Sequence, residues 1–408
     1  MRRLSIMVVA GEASGDLLGA ELVESLRSQL LSTEQTACDS GALEEASLEP
    51  EFFGAGGARM AAAGVQLIHD LTARSVIGPS DVIANYTAFQ RIFRDLLRES
   101  KMRKPDVVVL IDFSHFNQRL GAAIRQAFES ERGLFHNWRP LLVKYVSPQV
   151  WASRPGRAKA VARTFDLLMC ILPFEAAWYA KHAPSLRTVY VGHWIMDRYP
   201  EEDTPEPRTE ESPPLVLLLP GSRPGEIHRH TGVLVEAARK IRTQIAIRAV
   251  LVVPSQVLAT QAQAVCPNME SVELHVGNLP GFLKRATIAI AATGSVTLEC
   301  ARFGLPTVAL YRTSWLTYQI AKRVVTVSYL AMPNLLANEA LFPEFIQEKA
   351  TPEAIGTEAL ALLTNDRRRA TLKTRLREII QTLGNGGASD RAAKSILQRL
   401  QERGVRET

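Results

Sequence analysis

The sequence predicts an α/β protein of two halves, each a parallel sheet with helices on both faces, and three observations carry that prediction. Short β-branched runs alternate with longer amphipathic stretches, the pattern of successive βαβ units. A proline-rich acidic stretch, 199–214, splits the alternation into two series. The length of 408 residues, 46% hydrophobic and 22% charged, suits two or three domains that each bury a core.

Taken in order, Leu4 to Ala10 reads as a buried first strand. Its apolar run ends at Gly11-Glu12 without the small-residue cleavage site of a secretory signal. A helix follows over Asp16 to Leu31, and the polar, small-residue stretch Ser32 to Pro50 reads as a surface loop. Strand and helix then alternate: Val107 to Asp112 with Phe116 to Phe128, Leu141 to Val146 with Arg157 to Thr164, and Leu167 to Leu172 with Phe174 to His182. The second series starts at Leu215 to Leu219 and runs through Ile227 to Ile245, Ala249 to Val253, Ser271 to His275, Thr287 to Ala291, Ser295 to Phe303 and Thr307 to Leu310. After Thr351 the pattern is helical only. The expected organisation is therefore a Rossmann-like domain over 1–198, a linker over 199–214, a second Rossmann-like domain over 215–350, and helices over 351–408 packing back across the molecule.

The net charge of +6 permits an anionic partner without choosing nucleic acid, phosphorylated metabolite or acidic membrane. Cys38, Cys170, Cys266 and Cys300 are scattered, which suggests neither zinc nor a disulfide framework and fits a reducing cytosol. No apolar stretch reaches the roughly 18 to 20 residues of a membrane span.

Ligands of open α/β sheets bind beyond the carboxyl ends of the strands, so the loops there hold the candidate chemistry. Gly11-Glu12-Ala13-Ser14-Gly15-Asp16 leads from strand to helix, and its glycines let a ligand approach free amides. Ser14 or Asp16 could equally be a helix N-cap. Gly54-Ala55-Gly56-Gly57-Ala58-Arg59 starts like a dinucleotide fingerprint but has Arg59 where a third glycine is required. Asp112 closes a strongly apolar strand, where it could take a proton from a hydroxyl nucleophile or simply cap the next helix. In the second half, Gly221-Ser222-Arg223-Pro224-Gly225-Glu226 offers helix-start amides and a guanidinium, a credible diphosphate site. Glu226 there could instead favour the positive end of its own helix. Thr293-Gly294-Ser295 repeats the theme, with Thr297 and with Glu299 one turn in, where a carboxylate can bind a ribose diol. The Walker loop is missing, and so is an Asp-x-Asp pair for a divalent metal, so a leaving diphosphate would rely on helix dipoles, amides and Arg223.

These loops occur in order with Tyr145-Val-Ser-Pro-Gln-Val-Trp151, Leu172-Pro-Phe-Glu175, Leu219-Pro-Gly-Ser-Arg223 and Pro333-Asn-Leu-Leu336. Together they resemble the lipid-A-disaccharide synthase family, glycosyltransferases of the two-domain GT-B type, over residue 1 to about residue 350. The resemblance implies an α/β fold with two Rossmann-like domains facing a central cleft. It also implies inverting transfer of a diacylglucosamine unit from UDP to the 6-hydroxyl of an acylated glucosamine 1-phosphate. UDP would sit on the second half near Ser222, Arg223, Glu226, Gly294, Ser295, Thr297, Glu299 and Asn334. The acceptor would sit on the first half, with Asp112 as base and Glu12, Ser14 and Asp16 positioning sugar or phosphate. No cofactor, no metal and no nucleic-acid partner are expected, and a homo-oligomer is left open.

Both substrates carry acyl chains, which places the expected protein in the cytoplasm, held peripherally on the inner face of the inner membrane. Phe89, Arg91, Phe93, Arg94, Arg98 and Lys101 have the helical spacing of an interfacial helix, or of a surface helix with its apolar side in the core. Ile68 to Ile83, with Val76 and Ile77, is a second candidate acyl contact. His115, Ser153, Trp194 and Asn338-Glu339 depart from the family pattern. Two related GT-B activities, a UDP-N-acetylglucosamine 2-epimerase and a peptidoglycan-precursor glucosaminyltransferase, remain alternatives, as does a silent nucleotide-sugar-binding protein. A serine hydrolase through Ser14 is disfavoured because the loop is not a Gly-x-Ser-x-Gly elbow.

Overall fold

The structure is a computed structural model that describes residues 3–39, 49–72, 81–131, 133, 137–200 and 213–407. The chain divides into two compact units, Met1–Asp197 with Asn385–Thr408, and Arg198–Gly384.

In the first unit the order is β1 (Ser5–Ala10), α1 (Ala13–Asp39), β2 (Glu51–Gly56), α2 (Ala58–Ala62), β3 (Gln66–Asp70), α3 (Asp81–Arg103), β4 (Val107–Ile111) and α4 (Ser114–Ser130). It continues with β5 (Leu141–Tyr145), α5 (Val150–Ser153), α6 (Ala158–Thr164), β6 (Leu167–Cys170), α7 (Glu175–His182), β7 (Arg187–Tyr190) and α8 (Ile195–Arg198). The strands form one sheet in the order β3-β2-β1-β4-β5-β6-β7, and every pairing is parallel. Strands β1, β4 and β5 are buried throughout, which is why they read as continuous apolar runs rather than alternating ones.

The second unit runs β8 (Leu215–Leu219), α9 (Pro224–Arg242), β9 (Arg248–Val253), α10 (Gln256–Val265), β10 (Glu273–Val276), α11 (Leu279–Arg285), β11 (Ile288–Ala292) and α12 (Ser295–Arg302). It ends with β12 (Thr307–Tyr311), α13 (Trp315–Val324), α14 (Met332–Ala337), β13 (Glu344–Ile346), α15 (Pro352–Thr364) and α16 (Asp366–Gln381). Its parallel sheet has the order β10-β9-β8-β11-β12-β13. The helix starts were written into the sequence: Ser255, Ser314, Thr351 and Asn365 each accept a backbone N–H from their first turn, and Pro224 and Pro352 take the position that needs no donor.

Two expectations change. Helix α1 continues to Asp39, eight residues into the stretch read as loop, because its polar, small residues are still compatible with a helix whose preceding turns are already nucleated. The segment after residue 350 is divided: α15 and α16 belong to the second unit, while α17 (Ala388–Glu407) belongs to the first. There Ala392, Ala393 and Ile396 join the core on the α1 face of the sheet, and Arg391 Nε donates to the Val191 carbonyl at 2.7 Å. Most of the linker 199–214, together with Val76 and Ile77, lies outside the described residues.

Candidate functional site

Both sheets reverse strand order beside their first strand, between β1 and β4 and between β8 and β11. Chains diverge to opposite faces at such a point and leave a crevice at the strand ends. Four of the five loops singled out in the sequence border these crevices, after β1 and β4 in the first unit and after β8 and β11 in the second, while the Gly54–Arg59 loop follows β2.

In the first unit, Asp112 directly follows β4, where Ala10 and Ile111 are register partners. Asp112 and Phe113 both have φ of 41°. Aspartate tolerates this left-handed conformation, but phenylalanine does not readily, so the pair is held by its surroundings. The holders are visible. The Asp112 N–H donates to the Tyr145 carbonyl at 3.0 Å, and its own carbonyl accepts from the Asn117 side chain at 3.2 Å and from the Lys144 ammonium. Gly11 is required beside it, because a Cβ there would come within 2.4 Å of the Phe113 ring. The Asp112 carboxyl remains partly exposed, and Ser14 and His115 are exposed nearby in sequence terms on the first turns of α1 and α4.

Lys144 was missed by the sequence reading, although a lysine inside the apolar strand Leu141-Leu-Val-Lys-Tyr145 was a signal. It is 1% exposed. Burial lowers its pKa to about 8, opposed by attraction to Asp112.

Asp16 requires a correction. It is 4% exposed, and its carboxylate accepts the backbone N–H groups of Gly57 at 2.7 Å, Arg59 at 3.0 Å and Met60 at 3.1 Å. The charge is thus spent on the start of α2, so Asp16 fixes the loop after β2 to α1 and is not presented to a sugar. The Tyr145-to-Trp151 and Leu172-to-Glu175 motifs are one buried network. Glu175 accepts from Ser147, from Trp151 Nε1 at 3.0 Å, and from the Ile171 and Leu172 N–H groups at 3.1 and 3.0 Å.

In the second unit, Ser222 and Arg223 are exposed at the start of α9, and Gly294 and Ser295 are exposed at the start of α12. Gly294 has φ of 151° and open space where a side chain would stand. Glu226 does not face outward for a ligand: one oxygen accepts the N–H groups of Ser222 at 3.0 Å and Arg223 at 3.3 Å, closing a capping box. Asn334 is turned inward. It is fully buried, its amide donates to the Phe342 carbonyl at 2.7 Å and to Glu344 at 2.9 Å, and its oxygen accepts the Phe342 N–H at 2.7 Å. With both N–H donors used, this side-chain amide ties the α14 segment to β13.

Thr297 is buried and bridges the same region, donating to the Gly294 carbonyl at 2.7 Å and accepting the Met332 N–H at 3.2 Å. Glu299 is 8% exposed and accepts the Tyr199 hydroxyl at 2.6 Å. Burial raises its pKa, with the Tyr199 hydrogen bond and the Arg198 charge opposing. His230, also missed, accepts the Arg312 N–H at Nε2 (3.0 Å) and bonds the Pro220 carbonyl through Nδ1 (2.7 Å). It staples the loop after β8 to the end of β12.

The basic helix α3 presents its apolar side inward. Phe89 and Phe93 pack on the core, with Phe89–Phe113 and Phe93–Phe116 ring centroids at 6.2 and 5.7 Å. Arg91 and Arg98 pair with Asp95 at 4.0 and 3.5 Å, and Lys101 pairs with Glu131 at 2.5 Å. The expected lipid-facing arrangement of Phe89 and Phe93 is therefore replaced by that of an ordinary surface helix. Among the described residues no helix is long and apolar enough to cross a membrane. Asn338 takes the left-handed backbone, φ 50°, that a glycine would adopt, and Glu339 pairs with Arg375 at 3.1 Å.

A family model described as lipid-A-disaccharide synthetase matches residues 6–398. A lipid-A-disaccharide synthase of Myxococcus xanthus is 32% identical over 407 residues, covering 97% of each chain. One of Chromohalobacter salexigens is 34% identical over 402 residues, covering 96% of each. Among solved structures, the UDP-GlcNAc 2-epimerase of Neisseria meningitidis bound to UDP-GlcNAc aligns with a TM-score of 0.54 at 13% identity, covering 98% of this chain and all of that one. MurG of Acinetobacter baumannii aligns at 0.52 and 14% identity, covering 97% and 100%. At these identities the structures speak for a shared GT-B type fold.

Proposed function

The chain belongs to the lipid-A-disaccharide synthase family, glycosyltransferases that form the lipid A disaccharide from a UDP-sugar donor, and from that premise we propose a division of labour between its two units. The second unit holds UDP-2,3-diacylglucosamine. The Arg223 guanidinium and the amides at the Gly294–Ser295 helix start receive the diphosphate, and Glu299 receives the ribose in exchange for its bond to Tyr199. Because Glu226 already occupies the Ser222 and Arg223 amides, those two donors contribute only if that carboxylate is displaced.

The first unit holds the 2,3-diacylglucosamine 1-phosphate acceptor, with Glu12 and Ser14 positioning its sugar or phosphate. The Asp112 carboxylate takes the proton of the 6-hydroxyl as that oxygen attacks the anomeric carbon. The bond from that carbon to the diphosphate breaks, UDP leaves, and the configuration inverts. Charge developing on the diphosphate is met by amides and a guanidinium fixed in advance. The observation that carries this reading is Asp112 itself, a partly exposed carboxyl beside a strand-order reversal, on a backbone conformation that three separate partners maintain.

Both substrates are acylated, so the enzyme works at an anionic membrane surface in the cytoplasm. Purified protein incubated with the two diacylated substrates and no added metal should release UDP and disaccharide 1-phosphate. No product from wild-type protein refutes the reading, and loss of activity on adding EDTA refutes its metal-free form.

A further inference from the structure

Helix α13 exposes a cluster of large apolar side chains that α3 does not. Its residues Trp315, Leu316 and Ile320 are 69%, 64% and 48% exposed. No residue of α13 is buried. At about 100° of rotation per residue, Lys322, Trp315, Arg323, Leu316 and Ile320 fall within an arc of roughly 160°. One face thus mixes large apolar side chains with two cations. From residue 312 to residue 338 the sequence contains Arg312, Lys322 and Arg323 and not one Asp or Glu. This is the reverse of α3, whose Arg91, Arg98 and Lys101 lie beside carboxylates and whose Phe89 and Phe93 rings are turned into the core.

A bare apolar face would fit many partners, but the charge pattern narrows the choice. Apolar side chains of this size stay exposed at a cost unless something covers them. Helix α13 brings two cations and no acid of its own, and the Glu344 carboxylate that meets the segment after it is engaged by the Leu330 and Ala331 N–H groups and by Asn334. A tryptophan beside lysine and arginine suits the headgroup layer, where an indole sits at the boundary and cations meet lipid phosphates. We propose that α13 docks the second unit on an anionic bilayer, inserting Trp315, Leu316 and Ile320 at the headgroup boundary while Lys322 and Arg323 bind lipid phosphates. The proposal rests on the reading that the substrates are met at a membrane, and it adds which surface makes the contact.

The test is sedimentation of the full-length protein with vesicles of phosphatidylcholine alone or mixed with phosphatidylglycerol. Wild type should bind the mixed vesicles at least about tenfold more tightly than the neutral ones, less so as salt rises. A variant carrying Trp315→Ser, Leu316→Ser and Ile320→Ser should bind at least about tenfold more weakly. Lys322→Glu with Arg323→Glu should remove the preference for phosphatidylglycerol. Arg94→Glu with Arg98→Glu on α3 should leave binding near wild type. Turnover of short-chain, water-soluble substrates should be unchanged in the α13 variants, which also shows that they fold. In a protein whose other tryptophans are retained, Trp315→Phe should abolish the vesicle-induced blue shift of emission.

If wild type binds neither vesicle, the membrane reading itself fails. If wild type binds and the apolar α13 variant binds equally well, only the assignment to α13 is overturned. The same holds if that variant converts a dimer to a monomer in sedimentation velocity while keeping its vesicle affinity, since α13 is then a contact between copies.

Discussion

Replacing Lys144 by methionine separates the fold from the chemistry at Asp112. The ammonium is buried, and its pKa falls from 10.5 to about 8. At about 1.4 kcal/mol per pKa unit this difference is roughly 3 kcal/mol against the charged form in the folded state. Between pH 8 and 10.5 the unfolded chain still holds the proton that the folded chain has released, so stability rises with pH across that window. Below about 8 both states are protonated and the full penalty is present. Methionine removes that penalty and also the charged hydrogen bond to the Asp112 carbonyl, itself worth about 1.5 to 3 kcal/mol. At pH 7 the two nearly cancel, and stability should change by less than about 1.5 kcal/mol.

Catalysis should not cancel in this way. Left-handed conformations at non-glycine residues cost about 1 to 3 kcal/mol each and persist only while neighbours impose them. With Lys144 gone, Asp112 keeps the Tyr145 and Asn117 contacts alone, and kcat should fall about 10- to 100-fold, corresponding to about 1.4 to 2.7 kcal/mol, with the donor KM unchanged. Steady-state UDP release at pH 7.5 gives the first quantity, and urea titrations at pH 7 and 9.5 give the second. The variant should also lose the rise in stability between those two pH values. A kcat within twofold of wild type refutes the positioning role, and a loss of activity that merely tracks a loss of folded protein reduces Lys144 to a structural residue.

Asp112→Asn should lower kcat by at least about a hundredfold, with urea stability within about 1 kcal/mol, and near-normal turnover returns Asp112 to a structural role. Asp16→Ala strands three backbone donors and should cost about 2 to 4 kcal/mol in urea unfolding, whereas a selective rise in acceptor KM at full stability would restore Asp16 to the acceptor site. Arg223→Ala should raise donor KM and lower kcat without affecting the acceptor KM, which steady-state titration of each substrate can check. Burial lowers the His230 pKa below its usual 6.5. As pH falls through 6.5 the unfolded chain therefore takes up the proton first, and stability drops on the acid side. His230→Asn should flatten that acid slope in thermal unfolding, and an unchanged slope would place the titrating group elsewhere.

Much of the fold was legible because the sheets are parallel and buried on both faces, so the central strands are largely apolar runs, and several helix starts, at Ser255, Ser314, Thr351 and Asn365, carry a capping side chain. Residues 32–39 were less legible, since small polar residues have weak preferences that the preceding helix overrides. The loops of the candidate site could be read from glycine, proline and strand-end position. The part each carboxylate plays within those loops could not. Asp16, Glu226 and Asp112 all stand near the start of a helix, and nothing in their local sequence says that the first two are turned onto backbone N–H groups while the third stays partly exposed.

The sequence by itself determined two parallel α/β units, the strand-end loops where candidate chemistry gathers and membership of a glycosyltransferase family, because these follow from periodicity, turn chemistry and a joint set of motifs. Tertiary structure alone decided which side chains are already satisfied. Asn334 is closed by Phe342 and Glu344, Lys144 reaches Asp112 from the neighbouring strand, α17 returns to the first unit's core, and Phe89 and Phe93 of α3 turn inward while Trp315, Leu316 and Ile320 of α13 do not. Each of these depends on which elements pack together, which the local sequence does not state, and a hydrogen-bond donor or an apolar face is free for function only when no neighbouring element has claimed it.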